Sequence, residues 1–229
     1  MTPRQLPLDI PHRTALGVED FFVSQSNAAA VSLVDRWPDW PVRAAVLAGP
    51  AGSGKTHLVN VWRMKSQAKI VTAADVTTNN VPELTKVDAL AVEDVDKGAI
   101  DERALFHILN LVREQRLSVL MTTATLPGKM QIDLPDFSSR FKALPLAQIE
   151  APDDGLLSAV LIKLFSDRQL IVDPGVIAYC LPRMERSMDA ARRLVNEVDD
   201  LALASGKGIT KAVAAKALDN LASEEQQHD

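Results

Sequence analysis

Gly49, Gly54, Lys55 and Thr56 fill the pattern G-x-x-x-x-G-K-[ST] within LAGPAGSGKTHLV, Leu47–Val59. Each residue type has a use in phosphate chemistry. Glycines let successive backbone N–H groups converge on phosphate oxygens. A helix opening at the lysine adds its positive end. Lys55 can reach the outer phosphates and the Thr56 hydroxyl can ligate Mg²⁺. Gly49, Gly52, Ser53, Gly54, Lys55 and Thr56 are therefore the candidate nucleotide-binding residues of this loop. A magnesium-dependent phosphate site also needs acid at the end of a neighbouring strand, and ALAVEDVD supplies Glu93 and Asp94 directly after an apolar run. One would hold the metal through water and the other would polarise an attacking water, so Thr56, Glu93 and Asp94 form the candidate metal set. The motif does not say which nucleotide is held or whether it is hydrolysed.

A strand must deliver such a loop and a helix must receive it. RAAVLA (Arg43–Ala48) is a short apolar strand and residues 56–65 read as a helix. Three further strands follow: AKIVTA (Ala68–Ala73), VDALAVED (Val87–Asp94) and LSVLMTT (Leu117–Thr123). ALPLAQIE (Ala143–Glu150) gives a fifth. Between them Leu105, Ile108, Leu109 and Val112 recur at helical spacing over 101–116. Upstream, SNAAAVSLVDRW (Ser26–Trp37) reads as a helix with Ser26 or Asn27 near its N-cap, stopped at Trp37-Pro38. Short apolar strands alternating with helices predict an α/β fold with a five-stranded parallel sheet, whose ligands sit at the carboxyl ends of the strands. The pattern changes at Ala151-Pro152, after which only helices are predicted, over 153–168, 174–180, 187–204 and 210–222. The expected organisation is an extended N-terminal peptide at 1–13, a P-loop nucleotide-binding domain at 14–150 and a small all-helical domain at 151–229.

Twenty-five Lys and Arg against 30 Asp and Glu leave a net charge of −5. That balance argues against a non-specific nucleic-acid binder, which needs clustered cations to neutralise phosphates. Cys180 is the single cysteine, so no internal disulfide forms and no Cys/His cluster offers a zinc site. A buried, inert thiol is expected there. The polar start MTPRQLPLDIPHR, with its three prolines, has no apolar signal core. No run approaches the roughly 20 apolar residues of a membrane span, and a cytoplasmic protein is expected.

The stretches DFFVSQSN, GPAGSGKTHL, LAVEDVD and SSRF stand in the order found in AAA+ ATPases of the DnaA group, and the chain resembles that group over about residues 18–222. The helical domain falls where the group keeps its lid. Residues Gln5, Leu6 and Leu8 in RQLPLDI resemble the short peptide with which replication proteins dock on the sliding clamp. An extended segment of this kind can seat two leucines in an apolar pocket while the glutamine bonds at the rim. A clamp peptide, a DnaA-like module and one last helix where DnaA continues into a helix-turn-helix domain together resemble the Hda family, the DnaA-related regulators that inactivate the initiator. The resemblance implies bound ADP (or ATP) with Mg²⁺, DnaA and the sliding clamp as partners, and no direct sequence-specific DNA binding; it leaves self-association open. It adds Phe22, Val23 and His57 to the nucleotide-binding residues. It implies that Arg140 of Ser139-Arg140-Phe141 is an arginine finger acting in a neighbour's nucleotide site.

The chain departs from the family at three places. Glu93-Asp94 replaces the usual Asp-Glu or Asp-Asp, which displaces both carboxylates. The sensor position is Thr122 or Thr123, followed by Ala124 where DnaA-like chains tend to carry Asp; Thr123 could still orient a water. The lid arginine aligns with Asp189, so either one of Arg186, Arg192 and Arg193, each about one helical turn away, substitutes or the lid arginine is absent; Arg192 and Arg193 join the candidate nucleotide ligands. These departures predict weak or no intrinsic ATPase, with Asp94 and Thr123 as the residues that would carry it, and Arg140 promoting hydrolysis of ATP held by DnaA. Two other readings keep the same motifs: a self-sufficient ATPase of helicase-loader or clamp-loader type, and a DNA-binding initiator module. The mixed, alanine-rich C-terminal helix ranks the last of these lowest.

Overall fold

The computed structural model describes residues 12–13, 21–114, 117–205 and 208–225. Its elements run β1 (His12–Arg13), β2 (Phe21–Phe22), α1 (Ala28–Asp35), β3 (Ala44–Ala48), α2 (Lys55–Ser66), β4 (Lys69–Thr72), α3 (Val81–Leu84), β5 (Ala89–Glu93), α4 (Glu102–Arg113), β6 (Ser118–Thr123), α5 (Pro135–Lys142) and β7 (Leu146–Gln148). Four helices complete the chain: α6 (Asp154–Asp167), α7 (Pro174–Cys180), α8 (Met188–Ser205) and α9 (Lys211–Glu225). Two compact units result. One is Gln25–Glu150; the other joins the segment ending at Ser24 to Ala151–Asp229.

The first unit is built on a parallel sheet in the order β4-β5-β6-β3-β7. β3 and β6 are buried along their whole length, which explains why their sequences are apolar runs rather than alternating patterns. β3 lies between β6 and β7. The chain leaves it for the far edge at β4, returns through β5 and β6, and reaches β3's other side only at β7. This is the topological switch point at which open α/β sheets hold ligands. α4 shows why its sequence is helical. Asp101 caps it by accepting the Ala104 N–H at 3.0 Å. Its buried Leu105, Ile108, Leu109 and Val112 form one stripe against the sheet, each worth about 1.5–3 kcal/mol of apolar burial.

Four elements escaped the sequence reading: α3, α5, β1 and β2. α5 was not predicted because a single i, i+4 pair, Phe137 and Phe141, marks its buried face; the two rings stack at 5.4 Å in the core. β1 and β2 pair antiparallel, His12 opposite Phe22 and Arg13 opposite Phe21. β2 lies against α6, which places Phe21–Ser24 with the helices, whereas the sequence reading put them with the sheet.

The second unit's helices follow their predicted spans within two or three residues, with a core that includes Leu157, Phe165, Ile177, Leu194 and Val198. Cys180 sits in that core, and burial pushes its thiol up to about 11 against a smaller opposing pull from Arg183. α6 is capped by Asp153, whose carboxylate accepts the Leu156 N–H at 2.7 Å. Replacing Asp153 with Ala is expected to lower stability by about 1 kcal/mol, read as a shift of the urea midpoint with an unchanged slope. No described helix is long and apolar enough to cross a membrane.

Candidate functional site

The loop after β3 is shaped by two glycine requirements. A Cβ on Gly49 would stand 2.5 Å from the Ile149 carbonyl oxygen, because the exit of β7 passes this close and the Ile149 N–H bonds Ala48 O at 2.7 Å. Gly54, the residue before α2, has φ +101°, which L side chains rarely adopt. The loop then turns straight into α2, so that helix's first N–H groups face the loop's concavity.

Lys55 is 8% exposed. Its ammonium donates to the carbonyls of Gly49 at 2.6 Å and Pro50 at 2.8 Å. Burial pushes the ammonium below its ordinary value, opposed by the nearby carboxylates, Asp94 foremost. A phosphate entering the loop would relieve that desolvation with charge-assisted bonds. The Ser53 hydroxyl is buried and has no hydrogen-bond partner. An orphan of this kind costs about 1–3 kcal/mol, and a phosphate oxygen is the acceptor this cradle would receive. Thr56 Oγ1 donates to Glu93 Oε1 at 2.7 Å, so the loop's hydroxyl and the strand's acid share one point. Among the described residues no three His, Cys, Asp or Glu side chains are grouped to hold a metal alone. A Mg²⁺ ion would draw on Thr56, Glu93, phosphate and water, which is how this ion is usually bound.

Asp94 follows Glu93 in a left-handed conformation, φ +59°. Its N–H donates to Thr122 Oγ1 at 3.0 Å, and its carboxylate faces Lys97 Nζ at 3.0 Å. Thr123 is fully buried, and its hydroxyl donates to Thr125 O at 2.8 Å. The sequence reading missed Asp96, the third acid of EDVD. Asp96 accepts the Ala124 N–H at 2.9 Å and the Thr125 N–H at 2.6 Å. Burial raises its carboxyl, but these donors and the hydroxyls of Thr125 and Thr123 outweigh that and hold it below the usual range.

Arg140 lies on α5, half-buried. Its guanidinium donates to Asn110 Oδ1 and stacks 4.6 Å from the centroid of Phe106, both on α4. Beside it opens a groove of 750 Å³ lined by Arg103, Phe106, His107, Asn110 and Arg113. The spacing Phe106-x₃-Asn110, one turn along one helix face, was the sequence signal for this support. His57 sits partly buried in the first turn of α2. Phe22 and Val23 belong to the helical unit. In that unit Arg192 pairs with Asp189 at 3.6 Å, Arg193 with Glu185 at 3.5 Å, and Arg186 with Asp154 at 2.9 Å. Gln5, Leu6 and Leu8 lie outside the described residues.

No family model matches the chain. Over 227 residues it is 25% identical to the chromosomal replication initiator protein DnaA of Thermomicrobium roseum, a match covering 87% of this chain and 48% of that protein. The chain thus spans about half the length of this curated relative. Domain III of the Thermotoga maritima replication initiation protein DnaA superposes with a TM-score of 0.74 at 18% identity, over 87% of this chain and 94% of that one. A replication initiator DnaA bound to AMPPCP and single-stranded DNA superposes with a TM-score of 0.67 at 21% identity, over 78% and 63%. The fold is therefore AAA+, a five-stranded parallel sheet followed by a helical part, and the chain is similar to the AAA+ portion of DnaA.

Proposed function

We propose that this chain is a nucleotide-holding AAA+ module that regulates replication initiation in the manner of Hda. In this reading it binds ADP with Mg²⁺, docks on the sliding clamp through Gln5, Leu6 and Leu8, and presents Arg140 to ATP held by DnaA. The observation that carries the reading is the phosphate cradle: a buried lysine resting on loop carbonyls, an orphan Ser53 hydroxyl and a Thr56–Glu93 bond at one end of β3. Lys55 would exchange its carbonyl partners for the outer phosphate, and Ser53 would donate to the same group. Thr56 and Glu93 would hold Mg²⁺, which supplies charge neutralisation of the phosphates. His57, in the first turn of α2, would border the same phosphates.

Two observations favour presentation of Arg140 over self-sufficient hydrolysis. Asp94, the residue that would act as base, is engaged by Lys97, and the Thr123 hydroxyl is spent on Thr125 O. Arg140, by contrast, has its described side-chain contacts with α4 and none with the phosphate loop. A second reading is favoured by the likeness to a DnaA bound to AMPPCP and single-stranded DNA: the chain would be an initiator-type module that acts on DNA directly.

Deleting residues 1–10 separates the two. The regulator reading expects clamp binding, measured by surface plasmon resonance on immobilised clamp, to disappear while calorimetric ADP affinity stays within about twofold, since a short anchoring peptide acts by local concentration. Persistent clamp binding by the truncated chain would defeat the peptide assignment. Tight, salt-dependent binding of single-stranded DNA by both proteins would favour the initiator reading.

A further inference from the structure

The exits of β5 and β6 are tied together by four hydrogen bonds that secondary structure does not require. Asp94 N–H donates to Thr122 Oγ1 at 3.0 Å and Val95 N–H to Thr122 O at 2.9 Å. In the other direction, Ala124 and Thr125 N–H groups donate to the two oxygens of Asp96 at 2.9 and 2.6 Å. Between these pairs sits Asp94 with φ +59°, a conformation that costs a non-glycine residue about 1 kcal/mol or more and persists only where its surroundings hold it. Just before the turn, Glu93 meets Thr56 at 2.7 Å. The turn that follows Glu93 at the phosphate loop is thus held in shape from the neighbouring strand.

We infer that Asp96 is a positioning residue of the metal–nucleotide site: with Thr122 it latches the exit of β5 to the exit of β6 and so fixes Glu93 and Asp94 in front of Lys55 and Thr56. This rests on the phosphate-site reading above and adds a residue that touches neither nucleotide nor metal. A carboxylate suits the task because it accepts two N–H groups at once, in a plane, and charge-assisted bonds are about twice as strong as neutral ones. Asparagine has one acceptor oxygen and would turn an N–H₂ group toward the second donor. Thr122, 1% exposed, contributes through its hydroxyl, so valine there keeps the shape and removes the acceptor.

The latch acts on the acids, and the acids act on the metal, so its loss should appear in the metal-dependent part of affinity. Calorimetric titration of ADP into the wild-type chain, Asp96→Asn, Thr122→Val and Thr122→Ser, each with Mg²⁺ and with EDTA, reads this directly. In Asp96→Asn and Thr122→Val the affinity gained from Mg²⁺ should fall about tenfold, the scale of effect expected when a supporting contact lets a ligand shift. Affinity in EDTA should stay within about twofold, and Thr122→Ser should match wild type. Thr122→Val changes no charge, so it separates positioning from the altered field around Lys55. Equal losses with and without metal would make the latch a purely structural brace, and an undiminished Mg²⁺ gain in Thr122→Val would overturn the inference. A wild-type chain that binds no ADP in either buffer would instead bring down the phosphate-site reading, and this inference with it.

Discussion

Lys55→Ala is expected to weaken ADP binding by about 100-fold or more. A phosphate in the loop would receive two or more charge-assisted bonds from this ammonium, each worth about 1.5–3 kcal/mol, and every 1.4 kcal/mol is about tenfold in Kd. The fold should survive. The lysine's hydrogen-bond partners are the carbonyls of Gly49 and Pro50, and Pro50 is exposed to water. Lys55→Met keeps the buried stem, removes the charge and should bind as poorly as Lys55→Ala while melting nearer to wild type. Calorimetry with ADP beside a thermal melt checks both statements. Retention of wild-type affinity by the methionine variant would show that the loop's amides alone hold the phosphate.

The second large effect concerns Arg140. In a mixture of this chain, clamp-loaded DNA and ATP-bound DnaA, wild type should accelerate hydrolysis of the DnaA-bound nucleotide, and Arg140→Ala should remove about 10³ of that acceleration, the low end of what arginine fingers supply. Arg140→Lys should be nearly as impaired. The guanidinium sits 4.6 Å over the Phe106 ring centroid and bonds Asn110, and a lysine has neither the plane nor the fork. Nucleotide binding by the chain itself should be unchanged in both variants, because the described contacts of Arg140 are with α4 and not with the phosphate loop. Equal stimulation by wild type and Arg140→Ala would reject the finger.

Residue types and spacing along the chain were enough for everything local. Loop composition with a strand before it and a helix after it located the candidate phosphate loop from Gly49 to Thr56, because converging amides require glycine at those spacings. The short strand-like runs located the sheet: β3, β5 and β6, covered on both faces, are continuously hydrophobic, while β4 and β7 lie at its more exposed edges. The caps at Asp101 and Asp153, and Pro174 at the start of α7, kept most helix ends within two or three residues of where the pattern placed them. α5 was lost because Phe137 and Phe141 alone mark its buried face, one i, i+4 pair rather than a repeating stripe.

Only the tertiary structure decided which side chains meet. Glu93 and Asp94 are adjacent in sequence, yet one is joined to Thr56 and the other to Lys97; the left-handed turn at Asp94 makes that division, and no pattern of residue types announces it. Thr123 looked available for a water, but burial and the Thr125 carbonyl engage its hydroxyl. Asp96 carried no signal of its own in the sequence. It became an acceptor for β6's exit because β5 and β6 are sheet neighbours, a pairing between segments 28 residues apart. Spacing along a chain fixes dihedral preference and which face a residue occupies. Contact between loops of different strands depends on strand order, which is set by packing of the whole sheet.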